Sequence, residues 1–189
     1  TPTEATPVWL RLRYPDSVTT GPDRELTGSR GANCHNHRAL AGIIARLVEA
    51  MARHYGCHPA VVGWQIDNEL RAPKCYCPQC LEDFRDFLRA RYGTIDALNQ
   101  AWGTVFWSQE YRSFSDVQFP YQAETTVSPA QRLDSFRFAS RSTVEHLNRQ
   151  ARIIRAHAPG QFITHNSLGV YPWLNLYDLA RELDFIGFD

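Results

Sequence analysis

Apolar positions along the chain keep a helical spacing in some segments and run together in others. In RALAGIIARLVEAMARHYGCHP, residues 38–59, Leu40, Ile43, Ile44, Leu47, Met51 and Tyr55 share one helical face, and Gly56 and Pro59 supply stop signals. VVGWQID, residues 61–67, predicts a buried strand carrying Val61, Val62, Trp64 and Ile66. LEDFRDFLRARYG restores the helical stripe at Leu81, Phe84, Leu88 and Tyr92, and Thr94 opens a short second helix toward Trp102. Residues 103–127 hold no sustained period and read as a long excursion. Ser128 as N-cap and Pro129 at the first helical position start the longest helix, with a stripe from Leu133 through Phe136, Ser140, Val144, Leu147 and Ala151 to Ile154 and a Pro159–Gly160 stop. QFITHN then predicts a strand, LYDLAREL a helix and DFIGFD a strand, while TPVWLRLRYP near the N-terminus reads as a further strand fragment.

Alternating helices and strands call for parallel strands joined by crossover helices, an α/β fold. A doubly wound sheet carries a glycine-rich strand-to-helix turn. These strands instead leave polar residues at their C-terminal ends: Asn68 and Glu69, His165 and Asn166, and Asp189. That pattern favours a (β/α)8 TIM barrel. Such a barrel takes roughly 250 residues, so the chain of 189 residues is expected to form part of one, about strands 3/4 to 6.

Composition narrows the picture. A hydrophobic content of 43% is that of an ordinary globular protein, and twenty basic residues balance twenty acidic ones. No basic surplus draws the chain to nucleic acid or anionic lipid. No apolar run approaches the roughly 20 residues that span a bilayer. With clustered cysteines expected to be reduced and no visible export signal, the cytoplasm is the expected compartment.

Cys75, Cys77 and Cys80 fall within CYCPQC, a spacing poor for internal disulfides and good for thiolates converging on one zinc ion. Cys34, in the Gly/Asn-rich loop GSRGANCHNHR, is the best fourth ligand, with His35 and His37 as substitutes. Four thiolates close the coordination shell, so this zinc would be structural. Cys57, between a helix end and a strand, reads as a packed thiol.

A buried strand that ends on Asp67, Asn68 and Glu69 either satisfies those side chains through neighbours or releases them at an open end. Strand alternation sends Asn68 and Glu69 to opposite faces; both reach one cavity only if the chain leaves the sheet there. The structural alternative for Glu69 is an ion pair with Arg30 or Arg71.

HPAVVGWQIDNE, CYCPQC, ARYGTIDALNQAWGTVFWSQEY and DFIGFD closely resemble, in the same order, segments of glycoside hydrolase family 42 β-galactosidases, and the resemblance spans nearly the whole chain. It implies a (β/α)8 barrel that hydrolyses terminal β-D-galactosides with retention of configuration. It further implies Glu69, at the end of the fourth strand, as general acid/base, and Asn68 as a contact of the sugar 2-hydroxyl. Arg30 corresponds to a residue that binds galactose and the nucleophile carboxylate. Trp107 corresponds to one that borders the sugar site, often from a neighbouring subunit of a homotrimer. The family's zinc site maps to Cys34, Cys75, Cys77 and Cys80. The loop LRAPK departs in length from some relatives, and its rim contacts are not carried over.

In the family the nucleophile is a Glu on the seventh strand, whereas DFIGFD matches the sixth. Glu82, Glu145 and Glu182 fall in helical stretches, and Glu110 and Glu124 in the excursion. Residues 1–189 are therefore expected to be part of a single catalytic domain, without its N-terminal strands and the C-terminal part that holds the nucleophile, and inactive alone. Two other readings stay open: the same barrel acting on α-L-arabinopyranosides, and a non-catalytic, zinc-stabilised carbohydrate-binding or interaction module.

Overall fold

The computed structural model describes residues 3–21, 30–120, 127–169 and 171–189. The order of the longer elements is α1 (Val8–Arg13), α2 (Arg38–Tyr55), β1 (Gly63–Gln65), α3 (Pro78–Tyr92), α4 (Ile95–Trp102), α5 (Pro129–His157), β2 (Phe162–Ser167), α6 (Leu176–Ala180) and β3 (Phe185–Phe188). The strands form one parallel sheet in the order β1-β2-β3, with Trp64 opposite Ile163 and His165 opposite Ile186. Each strand lies beside its successor in sequence, with α3, α4 and α5 crossing between the first pair and α6 between the second. Among its described residues, the excursion contains single 3-10 turns at Phe106–Ser108 and Phe114–Asp116.

Local chemistry sets the helix ends. The Thr94 hydroxyl accepts from Ala97 N–H at the start of α4, and that of Ser128 from Gln131 N–H at the start of α5, where Pro129 takes the first position. α4 closes on Gly103 at φ +64°, a left-handed cap that glycine adopts without a Cβ penalty. Gly56 ends α2 for a different reason. A Cβ there would lie 2.4 Å from the carbonyl oxygen of His157, so the ends of α2 and α5 can meet only over a glycine.

Two cores result. One joins α2, α5, α6 and the sheet through Leu40, Ile44, Val48, Ala52, Leu147, Ala151, Ile154 and Ile163. The other gathers Phe84, Leu88, Leu98, Trp102, Val117, Phe119 and Phe138 around four cysteines. Asp134 is wholly buried in α5, where it accepts from Trp102 Nε1 at 2.9 Å, from the Tyr92 hydroxyl and from Arg137 at 3.0 Å. A buried carboxylate needs such partners.

Four sequence expectations are corrected. TPVWLRLRYP forms α1 rather than a strand. Val8, Leu10 and Leu12 alternate, but the Pro7 carbonyl accepts from Leu10 and Arg11 N–H and starts a helical turn, leaving only Leu10 buried. The face of α2 is rotated: Leu40, Ile44, Val48 and Ala52 are buried, while Met51 and Tyr55 are 37% and 41% exposed. β1 is shorter than the apolar run, with Val62 71% exposed ahead of it. Cys57 is exposed, not packed.

Candidate active site and metal centre

Beyond Gln65 the chain leaves the sheet. Ile66 N–H still donates to the Thr164 carbonyl at 2.9 Å, but Asp67 and Glu69 then take φ values of +49° and +46°. Left-handed backbone at a non-glycine residue costs of order 1–3 kcal/mol and persists only where its surroundings hold it. Here they do. The Asp67 carboxylate is buried and accepts from His146 Nε2 and Gln150 Nε2, each at 2.9 Å, and from the Thr3 hydroxyl. Burial alone would raise its pKa; His146 and the other donors overcome that and hold it well below the usual carboxylate range.

The turn's backbone is held from β2. His165 Nδ1 donates to the Ile66 carbonyl at 2.7 Å, and its Nε2 accepts from Leu70 N–H at 3.1 Å. Asn166 Oδ1 accepts from Glu69 N–H at 3.2 Å, and its Nδ2 donates to Asn68 Oδ1 at 3.2 Å. Burial lowers the His165 pKa, and an Nε2 that accepts from Leu70 N–H leaves the ring proton on Nδ1.

Because the chain turns out of the sheet, Asn68 and Glu69 open on the same cavity of about 160 Å3, together with Arg30, Arg71 and Glu4. Both side chains are half-buried. The structural alternative for Glu69, an ion pair with Arg30 or Arg71, does not form: Arg30 Nε engages Glu4 at 3.3 Å, and among the described residues no hydrogen bond or ion pair holds the Glu69 carboxylate. Glu4 was invisible to sequence reasoning, since it sits in a segment without period or motif. Trp107 is not brought to the cavity. It is 59% exposed, at φ +57°, beside exposed Val105 and Phe106.

The sulfurs of Cys34, Cys75, Cys77 and Cys80 all lie within 4.8 Å of one another, buried and unbridged by disulfides. Metal–sulfur bonds of about 2.3 Å in a tetrahedron separate sulfurs by about 3.8 Å; Cys34 lies 3.4 Å from Cys80 and 3.9 Å from Cys77. Backbone N–H of Thr20 points at the Cys75 sulfur, that of Cys80 at the Cys77 sulfur, and Asn36 Nδ2 at the Cys80 sulfur. Hydrogen bonding from Cys34 lowers the Cys77 pKa to about 7 and carries Cys75 lower still, while contacts with Cys75 raise Cys34 and those with Cys34 raise Cys80. Four buried thiolates this close together repel one another unless a cation sits between them. The donor set fits a metal ion. His35 and His37 are not among the four; His35 stacks on His146 at 4.4 Å, tying the Cys34 loop to α5 beside Asp67.

A sequence profile described as β-galactosidase matches residues 1–189. The chain is 45% identical over 195 aligned residues to β-galactosidase BgaA of Thermus sp., covering all of this chain and 30% of that protein. The solved β-galactosidase of the haloarchaeon Halorubrum lacusprofundi superimposes with a TM-score of 0.95 at 40% identity, over 100% of this chain and 29% of that one. The β-galactosidase of Marinomonas ef1 gives 0.94 at 35% identity, over 100% and 30%. The chain therefore spans about a third of the length of the relatives it matches.

Proposed function

Because the chain belongs to the glycoside hydrolase family 42 β-galactosidases, we propose that the full-length protein hydrolyses terminal β-D-galactosides with retention, and that Glu69 is its general acid/base. One observation carries this reading: the β1 exit turn gives Asn68 and Glu69 a common cavity with Arg30 and leaves the Glu69 carboxylate unpaired among the described residues. A glycosidic oxygen is a poor leaving group and must be protonated as its bond to the anomeric carbon breaks; the same carboxylate then takes a proton from water in the second step. Asn68 binds the sugar 2-hydroxyl, and Arg30 binds the galactose and orients the nucleophile.

The nucleophile is a carboxylate about 5 Å from Glu69, the separation that retention requires. It is supplied by chain outside residues 1–189. Glu4 shares the cavity but is engaged by Arg30. A cavity of about 160 Å3 is below the roughly 300 Å3 at which ligand pockets begin, which supports a site whose remaining wall lies elsewhere. β1, β2 and β3 are then the fourth to sixth strands of a (β/α)8 barrel, with the site at their C-terminal ends. The exposed Trp107 borders the sugar site of a neighbouring subunit in a trimer. Zinc, held by Cys34, Cys75, Cys77 and Cys80, fixes two loops and leaves no position for water.

The test is Glu69→Gln in the full-length protein. Loss of a general acid costs roughly 10²–10⁴-fold on a galactoside whose leaving group needs protonation, such as phenyl, and far less on 2,4-dinitrophenyl galactoside, read as kcat/KM. Full activity of the variant on the phenyl substrate would exclude the assignment.

A further inference from the structure

We propose that His165 is a positioning residue for this reaction: its imidazole, inserted between the Ile66 carbonyl and the Leu70 amide, fixes the turn that presents Glu69. The proposal rests on the reading of Glu69 as general acid/base. Ile66 and Leu70 are four residues apart, the pair that would bond directly in a helix. Here they do not close on each other. The ring of His165 stands between them, donating from Nδ1 to one at 2.7 Å and accepting at Nε2 from the other at 3.1 Å. A carbonyl can only accept and an amide N–H can only donate, so the bridge requires a neutral ring of this one tautomer.

Both ring nitrogens are consumed and the side chain is fully buried, so His165 touches no substrate. It acts through Glu69. Successive residues of a strand point to opposite faces, yet His165 and Asn166 grip the same turn, Asn166 accepting from Glu69 N–H. The turn curls over the end of β2 and is held from both sides of the strand. An apolar residue of similar volume would fill the core at position 165 and leave the Ile66 carbonyl and the Leu70 amide without partners. Asp67 and Glu69, both left-handed, would then be free to relax, and the carboxylate would move away from the glycosidic oxygen.

The experiment compares His165→Ala, His165→Gln, Asn166→Ala and Glu69→Gln in the full-length protein, by kcat/KM on phenyl and 2,4-dinitrophenyl β-D-galactosides. Misplacement of a reacting group by about 1 Å costs on the order of 100-fold, so His165→Ala is expected to lose roughly 10–100-fold on the phenyl substrate and little on the dinitrophenyl one. That is the selective pattern of Glu69→Gln at smaller amplitude. His165→Gln, whose amide oxygen can reach the Leu70 N–H, recovers part of the loss. Equal losses on both substrates, or none, would overturn the proposal and leave His165 a packing residue. If His165→Ala does not fold, Asn166→Ala, at a half-exposed position, must show the selective loss for the proposal to stand. A Glu69→Gln variant without leaving-group selectivity would instead sink the acid/base assignment, an outcome separate from the others.

Discussion

At the scale of single residues, polar groups from several elements converge on one turn. Asp67, His146, Gln150 and Thr3 hold it from beneath, and His165 and Asn166 from β2. His165 gives this a pH dependence. Desolvation lowers its folded pKa, against the Ile66 carbonyl and the charges of Asp67, Glu4 and Asp189, which act to raise it. In the unfolded chain an imidazole takes up a proton near pH 6.5; in the folded protein it does so only at lower pH. The unfolded state therefore binds more protons below about pH 6.5, so stability is full above that value and falls as the pH drops through it. Urea unfolding between pH 5 and 8 should show this decline, and His165→Gln should reduce it, with buried His35 contributing in the same direction; an unchanged slope in the variant would mean that His165 is not a source of it.

At the scale of elements, the loop 30–37 joins two functions. It carries Arg30 to the cavity and Cys34 to the sulfur cluster, and His35 docks it on α5 through the His146 ring and the Thr143 hydroxyl at 3.0 Å. α3 begins inside the cluster, with the Cys77 sulfur as its N-cap acceptor from Cys80 N–H. A metal there would pin the loop and the start of the helix together. We expect one zinc per chain by elemental analysis of the full-length protein. Because binding energy at a structural site is folding energy, Cys80→Ser should abolish that zinc and lower Tm by roughly 10 °C, taking a loss of a few kcal/mol. A metal-free protein of unchanged Tm would remove the metal from the account.

At the scale of the whole molecule, the described residues cover the sheet on one side only. Ile163, His165 and Ser167 of β2 are buried, while Phe162 and, beside it on β3, Phe185 are 39% and 50% exposed with ring centroids 5.2 Å apart. Parallel sheets bury both faces. The open aromatic face is the one that the proposed barrel would turn inward. Produced alone, residues 1–189 should hydrolyse no aryl galactoside and should bind a hydrophobic dye such as ANS, in contrast to the full-length protein. Turnover by this chain alone would refute an external nucleophile.

Much of this was legible in the sequence. Periodicity located α2, α3, α5 and the three described strands, because helix and strand spacings differ and Gly56, Pro59, Ser128 and Pro129 punctuate them. The cysteine spacing anticipated the cluster, since three of its members lie within six residues. Three-dimensional packing decided the rest. Which side of α2 faces the core depends on where α5 lies, and Val8–Arg13 is a helix whose alternation misleads, since only its Leu10 is buried. No local pattern announces that Glu4 reaches the cavity or that Trp107 stays outside it. Above all, a strand's period of two separates Asn68 from Glu69, and only the left-handed turn, held by residues some 80 to 100 positions away in sequence, reunites them: hydrogen bonds between distant segments stabilise a backbone that local preference disfavours.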